Sequence, residues 1–238
     1  LSAGELVNGR LGLPAGDANE RFAFASTLAD PGSPGRVLLI SADRSLIPGE
    51  ARPGPGIWYR TLDGQGTTLD EVWLPQPQAG DVQLADAIDR IASGADLRPG
   101  ALLAPFAIDW VVVDGIETPL DPVLDSQVDL TPTPLVTGAK VFENPNSAPL
   151  AGVEDGVVWH REGTAFAGET ASGPVALRVN YSHGWSPQPE PVDWFTSVSA
   201  VDGKATFSAS GYLSYAPYAT AGLLLLALAL VGWGRARR

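Results

Sequence analysis

The sequence contains no cysteine, no methionine and only two histidines among its 238 residues. The absence of cysteine excludes disulfide bonds, thiolate metal sites and a cysteine nucleophile. Basic residues are also scarce, because 15 lysines and arginines stand against 27 acidic residues, for a formal net charge of −12. Nucleic-acid binding needs a concentrated basic face, so we expect no nucleic-acid partner. Because the chain lacks an initiator methionine, we interpret it as a piece of a longer protein.

The residues that are abundant predict a folded chain with many turns. Hydrophobic residues make up 45% of the sequence, which is enough to build a core. The 27 glycines and 21 prolines together form a fifth of the chain. This content favours strands and loops over long helices.

The longest hydrophobic run lies near the carboxyl end. Residues 205–234 contain no charged side chain, and residues 216–234 read APYATAGLLLLALALVGWG. Nineteen helical residues reach about 28 Å, close to the ~30 Å of a bilayer's hydrocarbon core. A buried helix of a soluble protein is the alternative, but the run has no polar face and is followed by arginines. The sequence therefore predicts a transmembrane helix over 213–234.

The residues that flank this run predict its orientation. Aromatic side chains lie near both of its ends, where membrane–water interfaces favour them, and basic residues follow it as a tail over 235–238. The positive-inside rule places this tail in the cytoplasm and the bulk of the chain outside the cell membrane, with the lipid bilayer as a partner. The predicted anchor residues are Tyr215, Tyr218, Trp233, Arg235, Arg237 and Arg238.

Residues 17–150 follow a pattern of alternating helices and strands, after a linker over 1–16. Continuous apolar runs at 36–41 and 109–114 predict strands buried on both faces, and amphipathic periodicity predicts helices over 17–29 and 81–94. Further helices are expected from Pro99 and Asp121, and strands at 57–60, 130–136 and 140–143. This pattern predicts an α/β domain with a small helix-flanked sheet, within an overall α+β or α/β fold class.

Helical periodicity disappears after residue 150. Apolar segments at 157–161, 175–181 and 204–208 are separated by glycine and proline turns. We therefore expect an antiparallel, β-sandwich-like module over 151–212, delivered directly into the membrane helix. A module of this size is marginal alone and is expected to pack against its neighbour.

The sequence lacks the common patterns of catalysis. It contains no Asp-x-Asp, Gly-rich phosphate loop, Gly-x-Ser-x-Gly or His-Glu-x-x-His pattern. His160 and His183 have no acidic or histidine companions at ligand spacing. We therefore predict no catalytic residue, no metal site and no cofactor in this segment.

Two aspartates follow the two buried strands. Asp43 comes after the first strand and Asp114 ends the second, so both would emerge at the carboxyl edge of a parallel sheet, where α/β folds bind ligands. Aspartate at a strand end is also ordinary turn and cap chemistry, and we favour that interpretation for both residues.

Aromatic residues gather in the second half of the chain. Tyr181, His183, Trp185 and Trp194 could offer exposed rings on which a sugar or a partner stacks. Such aromatic residues are more often core or interface residues.

Several segments resemble one family. The stretch Leu102–Val113 (LLAPFAIDWVVV) is similar to a signature in the C-terminal extracytoplasmic region of large polytopic bacterial family 2 glycosyltransferases. The resemblance extends over about 13–238 and includes the closing membrane helix. Supporting segments are 36–40 with 46–49, 124–130, 141–144, Gly184-Trp185, 202–204 and 212–215.

This resemblance implies an accessory role in cell-envelope glycan assembly. The family's catalytic aspartates belong to a cytoplasmic domain that this segment does not match, so no catalytic residue is carried over. The segment would position a lipid-linked acceptor, the growing glycan or a partner protein, and its own partners would be a lipid-linked glycan or other membrane helices of the same protein. The alternatives are a stand-alone membrane-anchored module that binds carbohydrate or protein, and an ectodomain hydrolase, for which no acid/base pair can be placed.

Overall fold

The computed structural model describes Phe24, Leu28 and residues 35–47, 51–62, 77–114, 117–134, 138–152, 158–162, 165–168, 174–180, 185–186, 189–199 and 203–207. Within these residues the protein is a mixed α+β fold, with few helices and three sheets of mostly antiparallel strands. The predicted mixture of helices and strands is therefore confirmed.

The first sheet has six strands in the order β2-β3-β1-β4-β6-β5. In the described residues only β1 and β4 run parallel, and the other neighbours are antiparallel. The expectation of a parallel sheet therefore holds only for the central pair. The strands are β1 (Arg36–Ser41), β2 (Arg52–Gly54), β3 (Ile57–Leu62), β4 (Ile108–Asp114), β5 (Thr131–Pro132) and β6 (Ala139–Glu143).

Within the described residues this sheet is accompanied by α1 (Ala79–Ala92), α2 (Pro99–Leu103) and α3 (Asp121–Ser126), and Phe24 and Leu28 are also helical. Helix α1 begins with a capping box, in which the Gln78 backbone amide donates to Asp81 Oδ2 at 2.9 Å. Its buried side includes Leu84, Ile88 and Ile91. Single-turn 3₁₀ helices follow β1 at Arg44–Leu46 and α2 at Ala104–Phe106.

Strand β1 is covered on both faces, as its continuous apolar run predicts. Leu38 and Ile40 pack into a cluster that contains the buried side of α1. The alternate residues Val37 and Leu39 belong to a second cluster, against which Phe24 and Leu28 pack. Side chains alternate between the two faces of a strand, which explains this division.

The second half of the described chain forms two four-stranded sheets, in the orders β12-β13-β10-β7 and β11-β14-β9-β8. One buried cluster joins these two four-stranded sheets. It contains Val175, Leu177 and Val198 of the β12-β13-β10-β7 sheet and Phe166 and Ala205 of the β11-β14-β9-β8 sheet. A common core between two sheets is the feature that a sandwich-like module requires. The strands are β7 (Ala151–Gly152), β8 (His160–Glu162), β9 (Ala165–Ala167), β10 (Pro174–Asn180), β11 (Trp185–Ser186), β12 (Pro189–Val192), β13 (Phe195–Ser199) and β14 (Lys204–Phe207).

A buried asparagine joins the segments that lead into this second half. Asn144 is 4% exposed, and its Nδ2 donates to the carbonyl oxygens of Gly100 at 3.0 Å and Ile108 at 2.9 Å. The carboxylate of Asp129 accepts from the amides of Gly100 and Ala101 at the start of α2. The Asp129 bonds satisfy two amides that α2 leaves unpaired at its N-terminal end, and the Asn144 bonds tie the start of α2 to the start of β4.

Several predicted segments lie outside the described residues. They are the linker over 1–16, most of the helix over 17–29, the transmembrane helix over 213–234 and the basic tail over 235–238. Of the helices in the described ranges, none combines the length and apolar character needed to cross a bilayer.

Candidate functional site

The parallel strands β1 and β4 end side by side. Their register pairs Ile40 with Val113, so Asp43, which follows β1, and Asp114, the last residue of β4, lie at the same edge of the sheet. From this edge the chain continues through β2 to β3 on one side of the pair, and through α3 and β5 to β6 on the other. Such a point, where two connections diverge, is the usual ligand-binding position of an open α/β sheet.

Asp43 at this edge is engaged in a local cap. Its Oδ1 accepts hydrogen bonds from the backbone amide and the hydroxyl of Ser45, both at 2.8 Å. These bonds, the backbone one foremost, lower the pKa of the Asp43 carboxyl. The exposed carboxylate therefore acts as an N-cap of the 3₁₀ turn, as its turn-and-cap interpretation predicts. For Asp114 the structure describes the backbone position alone.

A cavity of about 450 Å³ lies beside the end of β4. Lys140 of β6 lines this cavity, and it pairs with Val113 of β4 in the sheet. Lys140 Nζ lies 2.6 Å from Asp121 Oδ1 and 3.1 Å from Asp125 Oδ1, so the lysine bridges two acids that lie one turn apart on α3. Glu117 and Pro122 complete the lining.

The ionisation states of Asp121 and Lys140 are set by the groups around them. Burial alone would raise the pKa of Asp121, but hydrogen bonds from Lys140 and Thr118 outweigh it and lower that pKa. The same bond to Asp121 raises the pKa of Lys140. Both groups are therefore ionised at neutral pH, which suits an ion pair and does not suit a general acid or an amine nucleophile.

The sequence-based reasoning missed this cluster, although one signal was present. Asp121 and Asp125 are four residues apart in a helix, a spacing that places two carboxylates on one face and favours a cation between them. Nothing local indicates that Lys140 supplies that cation, because only the pairing of β4 with β6 brings it there.

Trp194 lies in the turn between β12 and β13 and is 4% exposed. Its ring stacks on Phe106 with centroids 5.2 Å apart and planes 25° apart, and it joins the core of the first sheet. Beside it, Gln83 Nε2 donates to Asp193 Oδ1 at 2.9 Å. Trp194 therefore cannot offer the exposed face that sugar stacking needs, and it packs the two halves together instead.

The other predicted aromatic residues are not brought together with Trp194. Trp185 begins β11, which belongs to the other sheet of the second half and pairs with Phe207. Tyr181 and His183 lie outside the described residues, as do the predicted anchors Tyr215, Tyr218, Trp233, Arg235, Arg237 and Arg238. His160 is exposed on β8.

Metal binding finds no support in the described ranges, which contain no group of three or more potential ligands from histidine, cysteine and acidic residues. Comparison with known proteins returned no matching family model, no matching curated protein and no matching solved structure.

Proposed function

We propose that this chain is the non-catalytic extracytoplasmic C-terminal part and final transmembrane helix of a polytopic membrane glycosyltransferase. In this proposal the protein resides in the cell membrane and takes part in cell-envelope glycan assembly. The folded part positions the glycan acceptor or a partner outside the bilayer, and the tail over 235–238 remains in the cytoplasm.

The observation that carries the positioning role is the joining of the two halves by Trp194. Because this side chain of the β module is buried in the core of the first sheet, the halves are held together by packing. A body that holds its parts in one arrangement can present an acceptor in a defined orientation.

The short distance to the proposed membrane helix supports the same role. Strand β14 ends at Phe207, and the apolar helix is proposed to begin at residue 213. Six residue steps span at most about 20 Å when fully extended. The β module would therefore stay close to the outer surface of the bilayer, where a lipid-linked acceptor is exposed.

The electrostatics of the sheet edge support an accessory role over a catalytic one. Asp43 and Asp121 have lowered pKa values and Lys140 has a raised one, so all three groups remain in their charged forms near neutral pH. Acid/base catalysis near neutral pH is most efficient when such pKa values are shifted toward neutrality, which is the opposite direction for each of these groups.

Cysteine labelling in intact cells tests the topology. Because these 238 residues contain no cysteine, each introduced thiol is the only one within them. Val128 is 69% exposed, so Val128→Cys should react with a membrane-impermeant maleimide, whereas a cysteine added after Arg238 should react only after permeabilisation. The reverse pattern would remove the extracytoplasmic assignment, and labelling of neither thiol in unpermeabilised cells would do so as well.

A further inference from the structure

A groove of about 280 Å³ runs between α1 and the segment formed by α2 and the following 3₁₀ turn. It shares no lining residue with the cavity at Lys140. One wall is polar and carries Gln83, Asp86 and Arg90, and the other is apolar and carries Leu102, Pro105 and Phe106.

The polar wall presents both hydrogen-bond donors and acceptors. Its three residues are spaced by three and four positions on α1, which aligns them along one side of the helix. Within the described part of the chain, the Asp86 carboxylate makes no hydrogen bond or ion pair. Gln83 uses its Nε2 on Asp193, which leaves its amide oxygen as an acceptor. Arg90 uses one nitrogen on Asp96 at 3.3 Å, and its side chain is 59% exposed.

The apolar wall of the groove is supported by packing against the β module. The Phe106 ring stacks on Trp194, so the β module supports this side of the groove. Pro105 is exposed and Leu102 is half-buried, and both face the groove. Ala87, opposite them on α1, is small and leaves the groove open.

We propose that this groove binds a single sugar ring of a neutral glycan. A pyranose has hydroxyl groups that both donate and accept, which match Asp86, Arg90 and the Gln83 oxygen, and it has an apolar C–H face that fits Leu102 and Pro105. The negative charge of Asp86 and the positive charge of Arg90 offset each other, so a neutral ligand fits the groove better than an anion. Asp86 would repel a phosphate, and one carboxylate with an arginine beside it does not suit a cation.

This inference rests on the proposed function and makes it more specific, because the bound sugar would belong to the glycan acceptor. The groove lies beside the contact between the two halves, at Gln83 and Phe106. An acceptor held there would be fixed relative to the β module and therefore to the proposed membrane helix.

Saturation-transfer NMR on the full chain in lipid nanodiscs tests this site. The probes are the methyl glycosides of glucose, galactose and mannose, with inorganic phosphate observed separately by its phosphorus line width. We expect saturation transfer to at least one glycoside and no broadening of phosphate. Asp86→Ala and Arg90→Ala should each weaken glycoside binding about tenfold, since each removes a charge-assisted hydrogen bond.

Asp89→Ala is the matched control, because Asp89 is exposed on the same helix and does not line the groove. It should leave binding unchanged, and circular dichroism should show all three variants folded. Absence of transfer from every glycoside, equal binding by Asp86→Ala and wild type, or phosphate broadening that Arg90→Ala abolishes would each overturn the sugar assignment. If cysteine labelling still gives the expected topology, only the groove inference fails, whereas reversed labelling removes the proposed function itself.

Discussion

Removal of the Trp194 side chain should weaken the packing between the two halves of the protein. The side chain is 4% exposed, stacks on Phe106 and contacts Phe195 edge-on at 5.8 Å between ring centroids. Truncation of a buried tryptophan to alanine typically costs about 3–5 kcal/mol, which includes the cavity that it leaves. The free energy of unfolding of a typical protein is about 5–15 kcal/mol, so Trp194→Ala should remove a large fraction of it.

Denaturant unfolding of the full chain in detergent, followed by circular dichroism, measures this loss. We expect the wild type to unfold in one transition and Trp194→Ala to unfold with a lower midpoint and a shallower slope. The slope falls because it scales with the surface exposed in one cooperative step, and the two halves would no longer unfold together. Limited proteolysis of the variant should then cut the β module first.

Two control variants distinguish packing from a general effect of mutation. Trp194→Phe keeps an aromatic ring against Phe106 and should lose less stability than the alanine variant. Val192→Ala changes the same hairpin at a side chain that is 43% exposed, and its effect should lie within about 0.5 kcal/mol. A loss below about 1 kcal/mol for Trp194→Ala, with an unchanged slope, would refute the claim that this residue joins the halves.

Three further predictions use the same unfolding assay. Asn144→Ala should cost about 1–3 kcal/mol, because it removes a buried side-chain donor from the carbonyl oxygens of Ile108 and of Gly100, the latter keeping its bond from the Ala104 amide. Asn144→Gln, which keeps the amide group but moves it, should not restore the loss. Gly168→Ala should destabilise the β module, since its Cβ would lie 2.4 Å from Cδ1 of the buried Trp159, and an unaltered midpoint would contradict this placement. Asp121 has a pKa below its ordinary 3.8, so its ion pair stabilises the fold above that value and the contribution is lost as the pH falls through the lowered pKa. Lys140→Met should flatten this acid-side loss, and equal acid profiles for variant and wild type would count against the pair.

Local patterns in the sequence were sufficient for the central elements of the fold. The apolar runs at 36–41 and 109–114 predict β1 and β4, and the amphipathic segment predicts α1, because burial on two faces or on one stripe leaves a periodic signal. The placement of Asp43 and Asp114 at one sheet edge follows from the same pattern once the two strands are parallel.

Sequence patterns were less informative about which side chains are buried and about very short strands. Val82 of α1 is apolar and lies in the amphipathic segment, yet it is 50% exposed, because the helix buries Leu84, Ala87 and Ile88. Strands of two or three residues, such as β2 and β7, are too short to show alternation, and their pairing partners define them.

The sequence alone determined the composition, the charge, the long apolar run over 216–234 and the strongly periodic elements. Only the tertiary structure decided where Trp194 lies and which acids Lys140 meets. The physical reason is that helices and strands are selected by neighbours in the chain, whereas these contacts join residues far apart in sequence. Their partners are set by the sheet order and by the packing of one half against the other.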